Sequence, residues 1–384
     1  MVQRTIVQQF NPERPALGGV DSVIRDVIKF SPPEDRWAIV GVQAPELGRR
    51  GLGRWREAEV GGRPVDFLPV AALDPADQRR RVPHTVRLVG GLLRAGRPAL
   101  RGTLHVHRVD VAAAMAALYP STRPVLWIHN TTVSALGANS DSVWRHVAAV
   151  YAPTEVAAIR RAEAIVAAGK LELVRVAALH DVCHELPAWY DDELFTPVEH
   201  APNDPLVIGW AGRLEAPKDP LLALEVMAEL RRRDVDAVLE MHGAGTLGPA
   251  VERAVADRGL GDVVRLRGTS PREELGAHLG RADVVMMTSH YEGSPRVLVE
   301  ALACGTPVAC PAVADPAGVL DGTNGCIAVD RSAAAIADAV SAAAGLCRAD
   351  AASSVAAGSA RLTVPSLLAA LGDRAGTDIA EDVA

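Results

Sequence analysis

Two glutamates, Glu292 and Glu300, bracket the segment Glu292-Gly-Ser-Pro-Arg-Val-Leu-Val-Glu300, which runs on into Ala-Leu-Ala-Cys-Gly-Thr-Pro-Val. A strand-like run, Val284-Val-Met-Met-Thr-Ser, precedes them. Ser294 suits a helix N-cap, Pro295 the first helical position, and Gly305 the stop. Glu292 is then expected in a loop at a helix N-terminus, with Glu300 about two turns inside the helix. Free backbone N–H groups and the helix dipole favour an anion at such a terminus. Gly293, Ser294, Pro295, Arg296 and Val297 are the binding candidates there. A carboxylate on either side suits hydroxyls and not phosphate. The order hydroxyls, phosphate, hydroxyls describes a nucleotide sugar. The plainer alternative is an ordinary strand–loop–helix, since two glutamates at this spacing often arise by chance.

A second group precedes it. Gly212-Arg213-Leu-Glu-Ala-Pro-Lys218-Asp219-Pro follows the strand-like Leu206-Val-Ile-Gly-Trp. Open α/β sheets bind ligands at the carboxyl ends of their strands. Arg213 and Lys218 can clamp a diphosphate there through charge-assisted hydrogen bonds. An isolated Lys or Arg is more often a solvated cation, but Glu292 and Glu300 in the same half favour the phosphate role. Gly243-Ala-Gly245-Thr-Leu-Gly248 is a G-x-G-x-x-G between a strand and a helix. It raises an alternative, an NAD-dependent Rossmann enzyme using Gly243, Gly245 and Gly248. The motif lies mid-domain, away from a first βα turn, and a lone match is weak. Leu266-Arg267-Gly268 ends the next strand.

In the first half, Gly18-Gly19 follows an opening strand and starts a helix, so the backbone can approach a ligand closely or simply turn. His129 ends the strand Pro124-Val-Leu-Trp-Ile-His; a packed structural histidine is the equal alternative. His105 and His107 alternate on one strand and share a face, which makes them acceptor-side candidates.

The elements that position these residues alternate as strand and helix, which implies parallel sheets wrapped by helices. Strands are expected at Thr5–Phe10, Trp37–Val42, Thr103–His107, Ala237–Met241, Val263–Arg267, Pro307–Cys310 and Gly325–Val329. Helices are expected near 84–97, 110–118, 141–162 and Pro220–Arg232. The Pro-rich stretch Thr196–Pro205 reads as a linker.

The sequence around Glu292 and Glu300 resembles the retaining glycosyltransferases of family four, the glycosyl transferases group 1. Their GT-B fold sets two Rossmann-like domains facing each other across a cleft. The resemblance implies that Glu292 meets donor-sugar hydroxyls, Glu300 the nucleotide ribose, and the amides between them the diphosphate. Arg213 and Lys218 look like that family's G-R-x-x-x-x-K phosphate element, and His242-Gly243-Ala-Gly245-Thr resembles its G-x-G loop. Backbone near Arg267 is expected to meet the base. Gly18-Gly19 resembles its N-terminal glycine loop, and a His at the position of His129 contacts the donor sugar. The family usually has Phe where this chain has Ser294. The domains implied are an acceptor-binding domain at 1–198, a donor-binding domain at 199–361, and a helix and tail crossing back at 362–384. No cofactor and no metal are implied, the nucleoside-diphosphate sugar being a substrate. The acceptor class stays open among small molecules, glycans and lipid-linked hydroxyls. A non-catalytic nucleotide-sugar-binding module is the remaining alternative.

Bulk properties set limits. A length of 384 residues suits two domains. The net charge of −7 argues against a general nucleic-acid binder. Five cysteines without a C-x-x-C suggest inert thiols in a reducing compartment. No signal-peptide pattern and no transmembrane segment are seen, so a cytoplasmic protein is expected. Arg79–Arg81, Arg87, Arg94 and Arg97 border an apolar helix that can make weak membrane-surface contact, although a solvated face is the commoner reason for such a pattern.

Overall fold

The computed structural model describes residues 2–15, 18–73, 84–96, 98, 100–129 and 148–372. They form two packing units. One comprises the described residues up to Leu186 together with 364–372; the other is Pro187–Thr363.

The first unit contains strands β1 (Gln3–Val7), β2 (Arg36–Gln43), β3 (Arg56–Val60), β4 (Arg63–Ala72), β5 (Thr103–Val106), β6 (Val125–Ile128), β7 (Ala164–Ala168) and β8 (Cys183–Leu186). Helices α1 (Gly19–Phe30), α2 (His84–Arg94), α3 (Val109–Leu118), α4 (Ala148–Arg161) and α5 (Lys170–Ala177) accompany them. The sheet order is β3-β4-β2-β1-β5-β6-β7-β8. All pairs are parallel except the β3–β4 hairpin. That hairpin turns at Gly61-Gly62, both at positive φ, as a two-residue turn between twisted strands requires. The chain leaves β1 toward β2 on one side and returns to β5 on the other, so the sheet reverses its order between β1 and β5.

The second unit has β9 (Leu206–Ala211), β10 (Ala237–His242), β11 (Val264–Gly268), β12 (Val284–Met286), β13 (Val308–Pro311) and β14 (Gly325–Ala328). Helices α6 (Pro220–Arg232), α7 (Gly248–Asp257), α8 (Arg272–Arg281), α9 (Arg296–Ala303), α10 (Ala333–Ala343) and α11 (Arg348–Ser354) surround them. The order β11-β10-β9-β12-β13-β14 is parallel throughout and reverses between β9 and β12. Strands buried on both faces explain the unbroken apolar runs in β12 and β13, both wholly buried. Helix α12 (Ala360–Gly372) begins in this unit and ends in the first. The expected α/β class with two Rossmann-like sheets is what the chain adopts. No helix among the described residues is long and apolar enough to cross a membrane.

Gly102 shows how tightly the first sheet is closed. It sits at φ +64, and a Cβ there would lie 1.7 Å from the Gln3 carbonyl oxygen. Gly102→Ala is expected to lower the unfolding free energy by about 2 kcal/mol or more, read as a shifted urea midpoint at unchanged m.

Candidate functional site

The reversal between β9 and β12 places two loops side by side, and both carry residues singled out above. After β9 the chain passes Arg213 and reaches Lys218 and Asp219; after β12 it passes Thr288, Ser289 and Glu292. Thr288, fully buried, joins the two. Its hydroxyl contacts the carbonyls of Lys218 and Asp219, each at 2.9 Å, and accepts from the Trp210 indole at 3.0 Å. The His290 amide donates to the Pro217 carbonyl at 2.8 Å. With the loops so fixed, Lys218 Nζ meets Glu292 Oε1 at 2.5 Å. Ser289 Oγ donates to the same carboxylate oxygen at 2.6 Å. The Glu292 side chain is 8% exposed and that of Lys218 26%. This is a half-shielded ion pair at the switch point of the sheet, where such folds take ligands.

Asp219 stands behind the pair. It adopts a left-handed backbone and caps α6, its Oδ1 accepting from the Leu222 amide at 3.3 Å. Its other oxygen is held by Arg331, and His290 Nε2 lies 3.4 Å away. Arg331 also donates to the Thr288 carbonyl at 3.0 Å.

The glycine loop after β10 packs on the loop after β9. A Cβ on Gly243 would lie 1.8 Å from the Gly212 carbonyl oxygen, and one on Gly245 2.3 Å from that of Leu214. The Leu214 amide donates to Ala244 at 2.9 Å, and Leu247 returns a bond to Leu214 at 2.9 Å. Glu215 accepts from the Thr246 amide and hydroxyl at 2.8 and 2.5 Å. These glycines therefore admit protein backbone. Arg267, on β11, donates to Glu240 at 2.6 Å on the exposed side of the sheet. Nearby, His242 meets His278 in a tilted ring contact at 4.3 Å and bonds Ser270 at 2.8 Å. Burial, with His278 beside it, pushes the His242 imidazole down to about 4.

Helix α9 starts at Arg296, with Pro295 as cap residue and no side-chain cap bond. The expectation of Ser294 as N-cap and Pro295 as first helical residue is thus corrected by one position. The Arg296 amide already bonds the Ser294 carbonyl at 2.9 Å, a tight turn that delays the helix. The C-terminal stop is as expected. Gly305 sits at φ +80, and both closing bonds of a left-handed cap are present, from the Gly305 amide to the Leu302 carbonyl and from the Thr306 amide to the Ala301 carbonyl. Glu300, 4% exposed, accepts from Arg296 at 3.2 Å, and Arg272 lies 3.5 Å away. Glu300 is thus neutralised by two arginines, and Arg296, first residue of α9, turns inward to it one turn along the same helix.

The first unit holds a separate histidine group. Trp127 Nε1 donates to His105 Nδ1 at 3.1 Å. His107 stacks on Trp127 at 5.0 Å and on His129 at 5.1 Å, and its Nδ1 lies 2.9 Å from His129 Nε2. Burial holds His105 and His107 well below the usual imidazole range. Gly18 and Gly19 open α1, and a Cβ on either would meet open space. In this loop the fold itself does not demand glycine. Arg79–Arg81 and Arg97 lie outside the described residues.

Sequence reasoning missed Thr288, Ser289, Arg331 and Arg272. The polar pair Thr288-Ser289 directly after a buried strand was a readable signal. Arg331 and Arg272 had none, because each reaches its partner from a distant part of the chain.

Residues 191–344 match the family of glycosyl transferases group 1, a stretch that lies within the second unit. The D-inositol 3-phosphate glycosyltransferase of Frankia alni is 37% identical over 139 residues, 34% of either chain. That of Mycolicibacterium smegmatis is 30% identical over 186 residues, 44% of this chain and 42% of the relative. The matched stretches therefore span less than half the length of these relatives. Among solved structures, a sucrose-phosphate synthase from Thermosynechococcus elongatus superposes with TM-score 0.75 at 16% identity, covering 97% of this chain and 98% of the other. HepE of Anabaena, in complex with UDP and glucose, superposes with TM-score 0.70 at 14% identity, covering 97% and 100%. The GT-B class of fold thus holds for nearly the whole chain.

Two outcomes are expected. Glu300→Ala strands the buried Arg296 charge and should cost about 3 kcal/mol in denaturant unfolding. His105, His107 and His242 are less basic folded than unfolded, so the unfolded chain binds more protons as acid is added. Their stabilisation is complete above about pH 6.5 and falls away toward pH 4. His242→Phe should flatten the pH slope of the unfolding free energy in that window by up to about one proton.

Proposed function

We propose that the protein is a retaining glycosyltransferase that moves a sugar from a nucleoside-diphosphate sugar to an acceptor hydroxyl, without a metal. The observation that carries this is the Lys218–Glu292 pair across the β9/β12 reversal. It sets a cation for phosphate beside a carboxylate for hydroxyls, at the head of α9. Lys218, Arg213 and the amides of Gly293, Ser294 and Val297 hold the diphosphate, and Glu292 orients the donor sugar. Glu300, held by Arg296 and Arg272, is the ribose candidate. Gly243, on the loop after β10, and Arg267, near the end of β11, are the nucleotide-side candidates. Gly18, Gly19 and His129 of the first unit serve the acceptor side and the reacting centre. The bond from the anomeric carbon to the diphosphate breaks, the bond to the acceptor oxygen forms, and the acceptor proton passes to the departing diphosphate. Catalysis is then positioning and charge stabilisation. HepE is described with UDP and with UDP-glucose, so uridine diphosphate sugars are the first donors to test. The relatives' names make inositol phosphate the first acceptor to test.

The dehydrogenase alternative is disfavoured because the Cβ directions of Gly243 and Gly245 point at the carbonyls of Gly212 and Leu214, so contacts within the protein already account for both glycines. A panel of UDP, GDP, ADP, TDP and NAD in thermal shift separates the classes, since only ligands of the native state raise the midpoint. A shift with NAD alone would overturn the transferase reading.

Two variants probe the pair. Lys218→Met should weaken nucleoside-diphosphate affinity about 10- to 100-fold by calorimetry, the worth of one hydrogen bond to a charged group. Glu292→Gln should keep that affinity and lose about 100-fold in turnover. Near-normal turnover would exclude the role given to Glu292, and loss of activity after exhaustive chelation would exclude metal independence.

A further inference from the structure

Arg331 reaches the site from a part of the chain that the sheet reversal does not involve. Its backbone sits between two fixed turns. Asp330 Oδ1 accepts from the Ser332 amide at 2.9 Å, and Ser332 Oγ caps α10 by accepting from the Ala335 amide at 3.2 Å. Helix α10 is anchored in the core through Ile336 and Val340, both fully buried. From that base the guanidinium makes three contacts. Nη2 donates to the Thr288 carbonyl at 3.0 Å, Nε donates to the Ser289 carbonyl at 3.3 Å, and Nη2 also holds Asp219 Oδ2. The two carbonyls belong to consecutive residues just past β12, which ends at Met286. A planar fork fixes direction as well as distance.

Both residues so held act on Glu292. Ser289 Oγ donates to its carboxylate, and the Thr288 hydroxyl holds the carbonyl of Lys218, whose ammonium pairs with that same carboxylate. Turning the 288–289 backbone would therefore draw both donors away from Glu292. We propose that Arg331 is a positioning residue for Glu292, a guanidinium clip that ties the loop after β12 to the head of α6. Its consequence for turnover rests on the glycosyltransferase reading; the clip itself does not.

His290 reports on the clip without any substrate. Its Nε2 lies 3.4 Å from Asp219 Oδ2, the oxygen that Arg331 holds. Burial, and then the Arg331 charge, keep this imidazole below its usual range against the pull of Asp219. Arg331→Met leaves the Asp219 carboxylate to act on His290 alone, so the His290 titration midpoint should rise by about one pH unit. This is followed by 1H–13C NMR of the full chain and assigned by His290→Gln. Arg331→Lys keeps a cation beside Asp219 but loses the fork, and should leave that midpoint near the wild-type value. Turnover with UDP-glucose and inositol phosphate should fall at least about tenfold in both variants, the worth of one hydrogen bond to a charged group. UDP calorimetry should keep its stoichiometry in both, with affinity little changed. A UDP stoichiometry that falls along with turnover would reduce Arg331 to a folding role and overturn the proposal. Full turnover in Arg331→Lys would overturn the fork, and an unmoved His290 in Arg331→Met would overturn the clip. A wild type that transfers no sugar, with the His290 rise present, would instead sink the function proposed above and leave the clip standing.

Discussion

The Thr288 hydroxyl is the contact on which the site of the second unit depends. A parallel sheet that reverses its strand order leaves a gap between two loops that no ladder hydrogen bond spans. Thr288, without exposure, spans it by touching the carbonyls of Lys218 and Asp219 while taking the Trp210 proton. The loops on either side then have one relative position. Asp219 can cap α6 and hold Arg331, and Lys218 and Glu292 meet. Without that bond, Lys218 would have no reason to sit over a carboxylate presented by another loop.

Much of this was legible because it is local. The turn chemistry around Gly305, the helix Pro220–Arg232 and the apolar strands β9, β12 and β13 are written in neighbouring residues. So is the segment from Glu292 to Glu300, whose flanks carry the likeness to a family. The start of α9 was misplaced by one residue because Pro295 can occupy either a cap or a first helical position, and a turn at Ser294 decides between them. The β3–β4 hairpin was passed over although Gly61-Gly62 between alternating residues announces it.

What was not legible is long-range pairing. Arg331 reaches Asp219 across 112 positions, and a lone arginine after a strand has no signature of that partner. Arg272 and Arg296 converge on Glu300 from two helices, so a carboxylate that reads as open in the sequence is neutralised in the fold. The glycines of the loop after β10 carry a similar lesson. Their pattern suggests a ligand, yet the groups pressing on them are the carbonyls of Gly212 and Leu214.

The Lys218–Glu292 pair makes the site an ion exchanger. Each charge already has a counter-ion, so an arriving anion must displace a carboxylate as well as shed water. Inorganic phosphate could take Lys218 only by leaving Glu292, at 8% exposure, without its cation. A neutral sugar could bond Glu292 only in competition with the ammonium. A molecule that carries an anion and hydroxyls on one frame satisfies both halves in a single exchange. On that reading the internal pair would favour a bifunctional ligand, because a fragment with only one of the two functions would strand a charge.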